Sequence, residues 1–432
     1  MGYRYSDDGI IVVRLSIETY AESLLFLQLN LIMSSLQLTN IGQLVSYNSK
    51  ISGMETLEKI QIAIDDGIIT EIGNKVNDAD RHIDCKGKLI TPGFVDSHTH
   101  PVFLNGREDE FAMRLKGTTY KEIATKGGGI INSVNDVRNA SQRELFDRVF
   151  SRMNRFLSVG TTTIECKSGY GLNTESEIKS LKVIDEVNNS HKIDMVATFM
   201  GAHAIPIEFI DGPDEYVKLI CDEMLPAVAR QGIAKFNDVF CENGYFNIEQ
   251  ARMILSEGAN KGLVPRLHAE EFENSGSAEL AAELGAVSAD HLMNVNDVGI
   301  EAIAEAGVIA TLLPGTTFFL GSSNYAPYKR LENAGVNIAL ATDYNPGSCY
   351  IHSMPFIIAL ACIFMKMDVM SALKAATFMS AKSLQLEDKI GSIEIGKQAD
   401  MVIWDLERIV QIPYNVSSHP IRNVIKSGEL IF

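Results

Sequence analysis

Two histidines separated by one residue, His98 and His100, follow a short apolar run at residues 93–96. In a β-strand, residues two apart point to the same side, so both imidazoles can face one ion at the carboxyl end of the strand. An isolated pair of this kind more often represents two surface histidines in a loop. The preceding apolar strand and the following Pro101 favour the metal-ligand interpretation.

Three further polar side chains stand where an apolar run gives way to a polar loop: His268, His291 and Asp343. One such residue would more often be a core or capping group, but three of them beside the histidine pair are hard to assign to packing. Imidazole and carboxylate ligands suit Zn²⁺ or Fe²⁺, whereas Mg²⁺ and Ca²⁺ prefer oxygen ligands. The pattern therefore predicts a transition-metal site whose ligands come from the ends of several strands.

The middle of the chain, residues 93–387, must provide those strands, and it alternates short apolar runs with helical patterns. This alternation is typical of repeated βα units around a parallel sheet. The pattern predicts strands at 93–96, 161–165, 194–200, 236–241, 264–269, 287–291, 308–313 and 336–341, and helices at 141–158, 174–189, 247–261, 276–285 and 297–306. Eight strands predict an α/β fold, a TIM-type (β/α)8 barrel, whose catalytic groups gather at one rim.

The two ends of the chain have a different character from the middle. Residues 33–92 and 388–432 contain short β-type runs broken by Gly, Pro and Asp-Gly turn signals, and we expect them to pair as one small composite β-sandwich. Residues 1–32 carry acidic residues before an apolar stretch, unlike a secretory signal, which places basic residues there. Met33 opens a segment typical of an ordinary start, so we expect residues 1–32 to be either an N-terminal extension or an artefact of the assigned start site, and the sequence does not choose between the two.

The overall charge excludes several classes of partner. The chain has 38 basic and 55 acidic side chains, a formal charge of −17, which repels nucleic acid and anionic membranes. The longest apolar run, residues 354–365, is shorter than the ~20 residues that a membrane span needs, so we expect a buried helix there. Six scattered cysteines without a C-x-x-C pair predict reduced thiols in the cytoplasm.

A resemblance to a known family rests on the histidine pair and on motifs spread over residues 35 to 432. The chain resembles the amidohydrolase superfamily and, within it, the imidazolonepropionases, which open the imidazolone ring in histidine degradation. The motifs that carry this resemblance are Gly169-Tyr170-Gly171, Gly201-Ala202-His203, His268-Ala269-Glu270-Glu271, Ser288-Ala289-Asp290-His291 and Thr342-Asp343-Tyr344-Asn345-Pro346-Gly347-Ser348.

The resemblance implies hydrolysis of the cyclic amide of 4-imidazolone-5-propanoate to N-formimino-L-glutamate, with one zinc or iron ion. The implied metal ligands are His98, His100, His268 and Asp343. Many relatives hold two metals with a carbamylated lysine, but the fourth predicted strand, residues 236–241, contains no lysine, which implies a single metal.

The resemblance also implies roles for residues around the metal. Glu271 would move a proton to the leaving ring nitrogen, with Glu270 as its competitor, and His291 would stabilise the developing oxyanion; with Asp343 these form the implied catalytic set. Arg107 would bind the propanoate, locally reversing the negative charge of the protein. The remaining implied substrate contacts are Tyr170, His203, Asn345, Gly347 and Ser348, and relatives suggest a homodimer.

Two alternatives remain open from the residues alone. A deaminase of the same superfamily, acting on a nucleobase-like amine, would share the metal ligands but gain nothing from Arg107. A catalytically inactive barrel that serves as a scaffold is disfavoured by the presence of all four ligands.

Overall fold

The structure is a computed structural model that describes residues 35–118, 128–418 and 420–431. The predicted N-terminal extension, residues 1–32, lies outside the described residues. The described strands form two eight-stranded sheets, one parallel and one mixed. The parallel sheet positions the predicted site.

The parallel sheet is a nearly closed barrel, as predicted. Its strands, in both chain order and spatial order, are β6 (Phe94–Asp96), β7 (Thr161–Lys167), β8 (Asp194–Ala202), β9 (Phe236–Cys241), β10 (Val264–Ala269), β11 (Ser288–His291), β12 (Ile309–Leu312) and β13 (Ile338–Leu340). The last and first strands meet through the segments that follow them: Asp343 N donates to His98 O at 3.0 Å, and His100 N donates to Tyr344 O at 2.8 Å. All eight predicted strands are confirmed, and their ends differ from the prediction by no more than about two residues.

The five predicted helices are also confirmed, as Gln142–Ser158, Thr174–Asn188, Ile248–Asn260, Ser277–Glu283 and Asp297–Ala306. Local signals explain where they begin: Ser141 and Glu144 form a reciprocal capping box, and Asn247 and Gln250 form another. The helix Gln142–Ser158 buries an apolar stripe at helical spacing against the barrel, made of Leu145, Val149, Met153 and Phe156.

Other helices of the described chain are Glu108–Leu115, Ile130–Asn139, Pro213–Leu219, Leu225–Gln231, Pro314–Phe319, Tyr328–Asn333, Met354–Phe364, Val369–Ala375, Phe378–Ser383 and Gln411–Tyr414. The apolar run at 354–365 forms the helix Met354–Phe364, which is mostly buried, with Ile363 and Phe364 exposed at its carboxyl end. Within the described residues, none of the helices combines the length and apolarity needed to cross a membrane.

The mixed sheet is built from both chain ends. Its path is β16 (Glu429–Leu430), β15 (Ile421–Lys426), β14 (Met401–Trp404), β5 (Leu89–Pro92), β1 (Leu36–Asn48), β2 (Gly53–Asp65) and β3 (Ile68–Gly73), with β4 (Arg81–Asp84) also paired to β1. Ile69 near one end of this path and Ile425 near the other share one buried cluster, so the sheet folds back over its own core. The pairing of the chain ends is confirmed, while the domain limits 33–92 with 388–432, and 93–387, remain predictions.

Contacts of Trp404 and Lys426 join the two sheets. The ring of Trp404 meets Phe94 of the barrel edge-on with ring centroids 6.0 Å apart, and its indole N–H donates to Thr91 Oγ1 within the mixed sheet at 2.9 Å. Lys426 Nζ bridges Asp194 at the start of β8 and Asp400, at 2.6 and 2.8 Å. These contacts fix the amino end of the barrel against the mixed sheet.

Candidate active site

Four side chains predicted as metal ligands meet at the carboxyl ends of the barrel strands. His100 Nε2 lies 3.3 Å from His98 Nε2 and 3.3 Å from His268 Nε2. Asp343 Oδ1 lies 3.6 Å from His98 Nε2 and 3.4 Å from His100 Nε2. All four residues are buried, although they are separated by up to 245 positions in the chain.

Two further aspartates set the tautomers of this cluster. His98 Nδ1 lies 2.7 Å from Asp290 Oδ2, and His268 Nδ1 lies 2.9 Å from Asp238 Oδ1. Burial opposes ionisation of Asp238, but His268 and Lys167 outweigh it and hold the pKa of Asp238 well below its usual value. An ionised carboxylate only accepts hydrogen bonds, so Nδ1 of His268 carries the proton and Nε2 presents its lone pair to the cluster.

The spacing of the three Nε2 atoms fits a bound cation. A single proton on His100 Nε2 could serve only one of its two 3.3 Å neighbours, so at least one contact brings two lone pairs together. Two nitrogens that bind one zinc ion tetrahedrally at ~2.0–2.1 Å are about 3.4 Å apart. Burial also lowers the pKa of His98 and His100 well below the usual value, which favours the neutral imidazoles that bind metals.

His291 lies at the edge of the same cluster. The ligand atoms of His98, His268 and His291 lie within 4.8 Å of one another, as do those of His98, His100 and Asp343. His291 therefore belongs to the cluster by distance, although the resemblance did not assign it as a ligand. Neither ring nitrogen of His291 has a hydrogen-bond partner among the described residues, so both remain available.

Two site residues adopt left-handed backbone conformations. The φ angles are +80° at His291 and +54° at Asp343, a region that side chains other than glycine rarely occupy. Such residues persist only where the surrounding structure holds them, and they cluster at functional sites.

A cavity of about 340 Å³ opens beside the cluster, within the size range of small-molecule sites. Its lining brings together most of the predicted residues: His100, His268, Asp343, Glu271, His291, Arg107, Tyr170, His203, Asn345 and Ser348. His203 stacks on His100 with ring centroids 4.9 Å apart, and His203 Nδ1 donates to Gly169 O at 3.0 Å.

Gly347 does not line this cavity, but it accommodates Arg107. A Cβ atom built at position 347 would overlap the Nη2 and Cζ atoms of Arg107, so the glycine lets the guanidinium pass over the loop. Arg107 Nε lies 3.5 Å from Glu110 Oε2, and both side chains are largely buried. A direct substrate contact by Gly347 stays a prediction.

Asn345 organises the same loop. Its Nδ2 donates to Asp343 O at 2.8 Å, while its Oδ1 accepts from Gly347 N at 2.9 Å and from Ser348 N at 2.7 Å. The side-chain amide thus holds the loop that connects Asp343 to Gly347. A direct substrate contact by Asn345 stays a prediction.

The structure separates Glu271 from its competitor Glu270. Glu271 lines the cavity, with Oε2 3.6 Å from His291 Nε2, and burial, with Asp343 and Glu242, raises its pKa well above the usual value. Glu270 does not line the cavity, and burial and the nearby Glu279 raise its pKa to about 7. The geometry favours Glu271 for proton transfer.

Comparison with known proteins agrees with this geometry. Residues 89–431 match the model of the amidohydrolase family. The imidazolonepropionase of Geobacillus kaustophilus (strain HTA426) is 46% identical over 372 residues, which cover 86% of this chain and 87% of the relative. That of Bacteroides fragilis (strain YCH46) is 44% identical over 409 residues, covering 93% and 98%. The chain belongs to the amidohydrolase family and, within it, to the imidazolonepropionases.

Solved structures share the fold of this amidohydrolase at low identity. An adenosine deaminase from Xanthomonas campestris with bound zinc superposes with a TM-score of 0.69 at 21% identity, covering 91% of this chain and 92% of that one. A 5-methylcytosine deaminase from Klebsiella pneumoniae gives a TM-score of 0.72 at 17% identity, covering 92% and 98%. These likenesses support the barrel and its attached sheet.

The structure also places residues at the site that the sequence reasoning missed. Asp290 and Asp238 contact His98 and His268, while Lys167 and Arg266 contact those aspartates at 2.7 and 3.4 Å. All four are buried charged residues within barrel strands. A charge inside an otherwise apolar strand is the signal that could have identified them.

Proposed function

We propose that this amidohydrolase opens the ring amide of 4-imidazolone-5-propanoate to N-formimino-L-glutamate, a hydrolysis in histidine degradation. The observation that carries the proposal is one cavity that joins a cluster of metal-binding type to an acid and to a buried arginine. The relatives, at up to 46% identity over most of the chain, bear the name of this activity.

His98, His100, His268 and Asp343 would hold one ion, which we propose to be zinc or iron. When bound, such an ion supplies Lewis acidity and a water of lowered pKa that can attack a carbonyl. Two observations support this assignment. The Nε2 atoms of His98 and His100 lie only 3.3 Å apart, and Asp290 and Asp238 accept hydrogen bonds from Nδ1 of His98 and His268, which leaves the Nε2 lone pairs free to face an ion. The fourth barrel strand contributes Asp238 rather than a lysine, which supports a single ion.

Glu271 would transfer protons during the reaction, and His291 would donate a hydrogen bond to the developing oxyanion. Burial, with Asp343 and Glu242, raises the pKa of Glu271 well above the usual value, which favours the protonated carboxyl. This carboxyl would donate its proton to the leaving ring nitrogen, and the proton released by the attacking water would replace it. Burial lowers the pKa of His291 to about 3, so the ring is neutral and can donate one N–H to the carbonyl oxygen as negative charge develops there.

Arg107 would orient the substrate by its propanoate. A guanidinium pairs with a carboxylate through two parallel hydrogen bonds, which fixes the ring relative to Glu271 and His291. Tyr170, His203 and Ser348 line the same cavity and would complete the contacts. A cationic group on the cavity wall suits an anionic cyclic amide better than an uncharged nucleobase, so the deaminase alternative is not favoured.

We also propose a cytoplasmic homodimer. The six cysteines are all free, which suits a reducing compartment. Light scattering during gel filtration would measure the mass of the assembly, and a monomer mass would contradict the proposal.

The decisive experiment incubates the purified full chain with freshly made imidazolone propanoate and follows the loss of ring absorbance, with the product identified by mass spectrometry. Arg107→Ala should lose most turnover, whereas Arg143→Ala, at an exposed arginine paired with Asp147, should not. Full turnover by Arg107→Ala would refute the proposed contact between Arg107 and the propanoate. Absence of ring opening at every zinc or iron loading would refute the proposed substrate.

A further inference from the structure

Lys167, at the carboxyl end of β7, is a buried cation that the proposed reaction does not use. Its ammonium is fully buried, 2.8 Å from Glu165 Oε1 and 2.7 Å from Asp238 Oδ2. Burying a cation is costly unless close carboxylates compensate it, so such a group needs an explanation at this position.

One branch of contacts leads from Lys167 to His268. Asp238 presents Oδ2 to Lys167 and Oδ1 to His268 Nδ1, so the ammonium fixes the rotation of the carboxylate that orients the histidine. Metal-bound histidines depend on such partners, and loss of one typically weakens metal binding by about 10- to 100-fold.

A second branch leads from Lys167 to the histidine pair. Glu165 presents Oε1 to Lys167 and Oε2 to the backbone N–H of Thr99, at 3.1 Å. Thr99 lies between His98 and His100, and its carbonyl accepts from Lys167 N at 3.0 Å. Lys167 therefore contacts the supports of ligands that come from the first and fifth barrel strands.

We propose that Lys167 is a positioning residue that sets the spacing between the histidine pair of the first strand and His268 of the fifth, and thereby the affinity of the site for its metal. This inference rests on the proposed metal site. In this proposal, Lys167 maintains the 3.3 Å separation between the Nε2 atoms of His100 and His268.

Electrostatics and positioning predict opposite results when this cation is removed. A cation near the cluster repels a metal ion, so by charge alone Lys167→Met should bind Zn²⁺ more tightly. Positioning predicts weaker binding, because Asp238 and Glu165 lose the donor that orients both. The direction of the change therefore separates the two explanations.

Lys426 offers a matched control. It is also buried, and it also bridges two carboxylates, Asp194 and Asp400, but these lie at the junction of the two sheets. Lys426→Met should lower thermal stability without altering Zn²⁺ affinity, whereas Lys167→Met should change both.

The test loads the metal-stripped full chain with Zn²⁺ in competition with a chromogenic chelator, alongside a thermal unfolding curve. We expect a Zn²⁺ affinity about 10- to 100-fold below wild type for Lys167→Met, and a change below about threefold for Lys426→Met. Lys167→Gln keeps a donor towards Asp238 and should fall between wild type and Lys167→Met.

Wild-type or tighter affinity in Lys167→Met would overturn the proposal, as would equal weakening in Lys426→Met. If Lys167→Met does not fold, wild-type affinity in Lys167→Gln would overturn it instead. Failure of the wild-type chain to bind Zn²⁺ would refute the proposed metal site itself. Tight Zn²⁺ binding by both wild type and Lys167→Met would instead refute only the role of Lys167.

Discussion

Gly347→Ala should damage substrate binding while sparing the fold. The new Cβ would overlap the end of the Arg107 side chain, which would have to move by about 2 Å to regain a separation of ~3.5 Å. The obstructed atoms belong to the far end of a flexible side chain, and the φ angle of Gly347 is not positive. We therefore expect little change in the free energy of unfolding.

The kinetic cost follows from hydrogen-bond geometry. Hydrogen bonds operate over about 2.7–3.2 Å, so a shift of about 2 Å removes the charged contact between Arg107 and the substrate carboxylate. Losing a hydrogen bond to a charged group costs about 1.5–3 kcal/mol, which lowers kcat/KM by about 10- to 150-fold. Because this contact exists in both the ground state and the transition state, the loss should appear mainly in KM.

Steady-state kinetics of ring opening and a thermal unfolding curve, both recorded for each variant, test this expectation. Gly53→Ala serves as the control, because its nearest neighbour is Ile51 O at 3.7 Å and the site is remote. Unchanged KM in Gly347→Ala would refute the reasoning, because it would mean that Arg107 does not hold the substrate from its observed position.

Three further outcomes are expected. Glu271→Gln should lower kcat at least about 100-fold with little change in KM, since it removes the proton donor but keeps the shape; retained kcat would exclude this role. His291→Gly and His291→Ala should both lose turnover. The free energy of unfolding in urea should be about 1 kcal/mol higher for the glycine variant, because φ at this position is +80°, which alanine adopts only with strain. Equal unfolding free energies would contradict strain at this position. Thr91→Val should destabilise the chain by about 1–3 kcal/mol by leaving the Trp404 indole N–H unpaired, and the fluorescence of this single tryptophan reports the unfolding; wild-type stability would show that the bond contributes little.

The structure also shows what two of the predicted substrate-contact residues do within their own loop. The side-chain amide of Asn345 forms hydrogen bonds with the backbone of the loop that carries Asp343, and Gly347 leaves space for the Arg107 side chain. Their motif marks a loop of defined shape, and sequence alone does not distinguish a residue that shapes such a loop from one that contacts the ligand. Arg107 likewise lies near Glu110, a partner three positions away in the chain.

The barrel strands, the helices between them, the pairing of the chain ends and the residue types of the predicted metal cluster could all be predicted from the amino-acid sequence. Those features rest on local periodicity, capping residues and the position of polar groups at strand ends, all of which are readable within a short window. The pairing of the buried charges could not be predicted in this way: Lys167 and Asp238 are 71 residues apart in the chain, and Arg266 and Asp290 are 24 residues apart. Such pairs depend on barrel closure and strand register, which place distant side chains in one buried interior where each charge must find its partner.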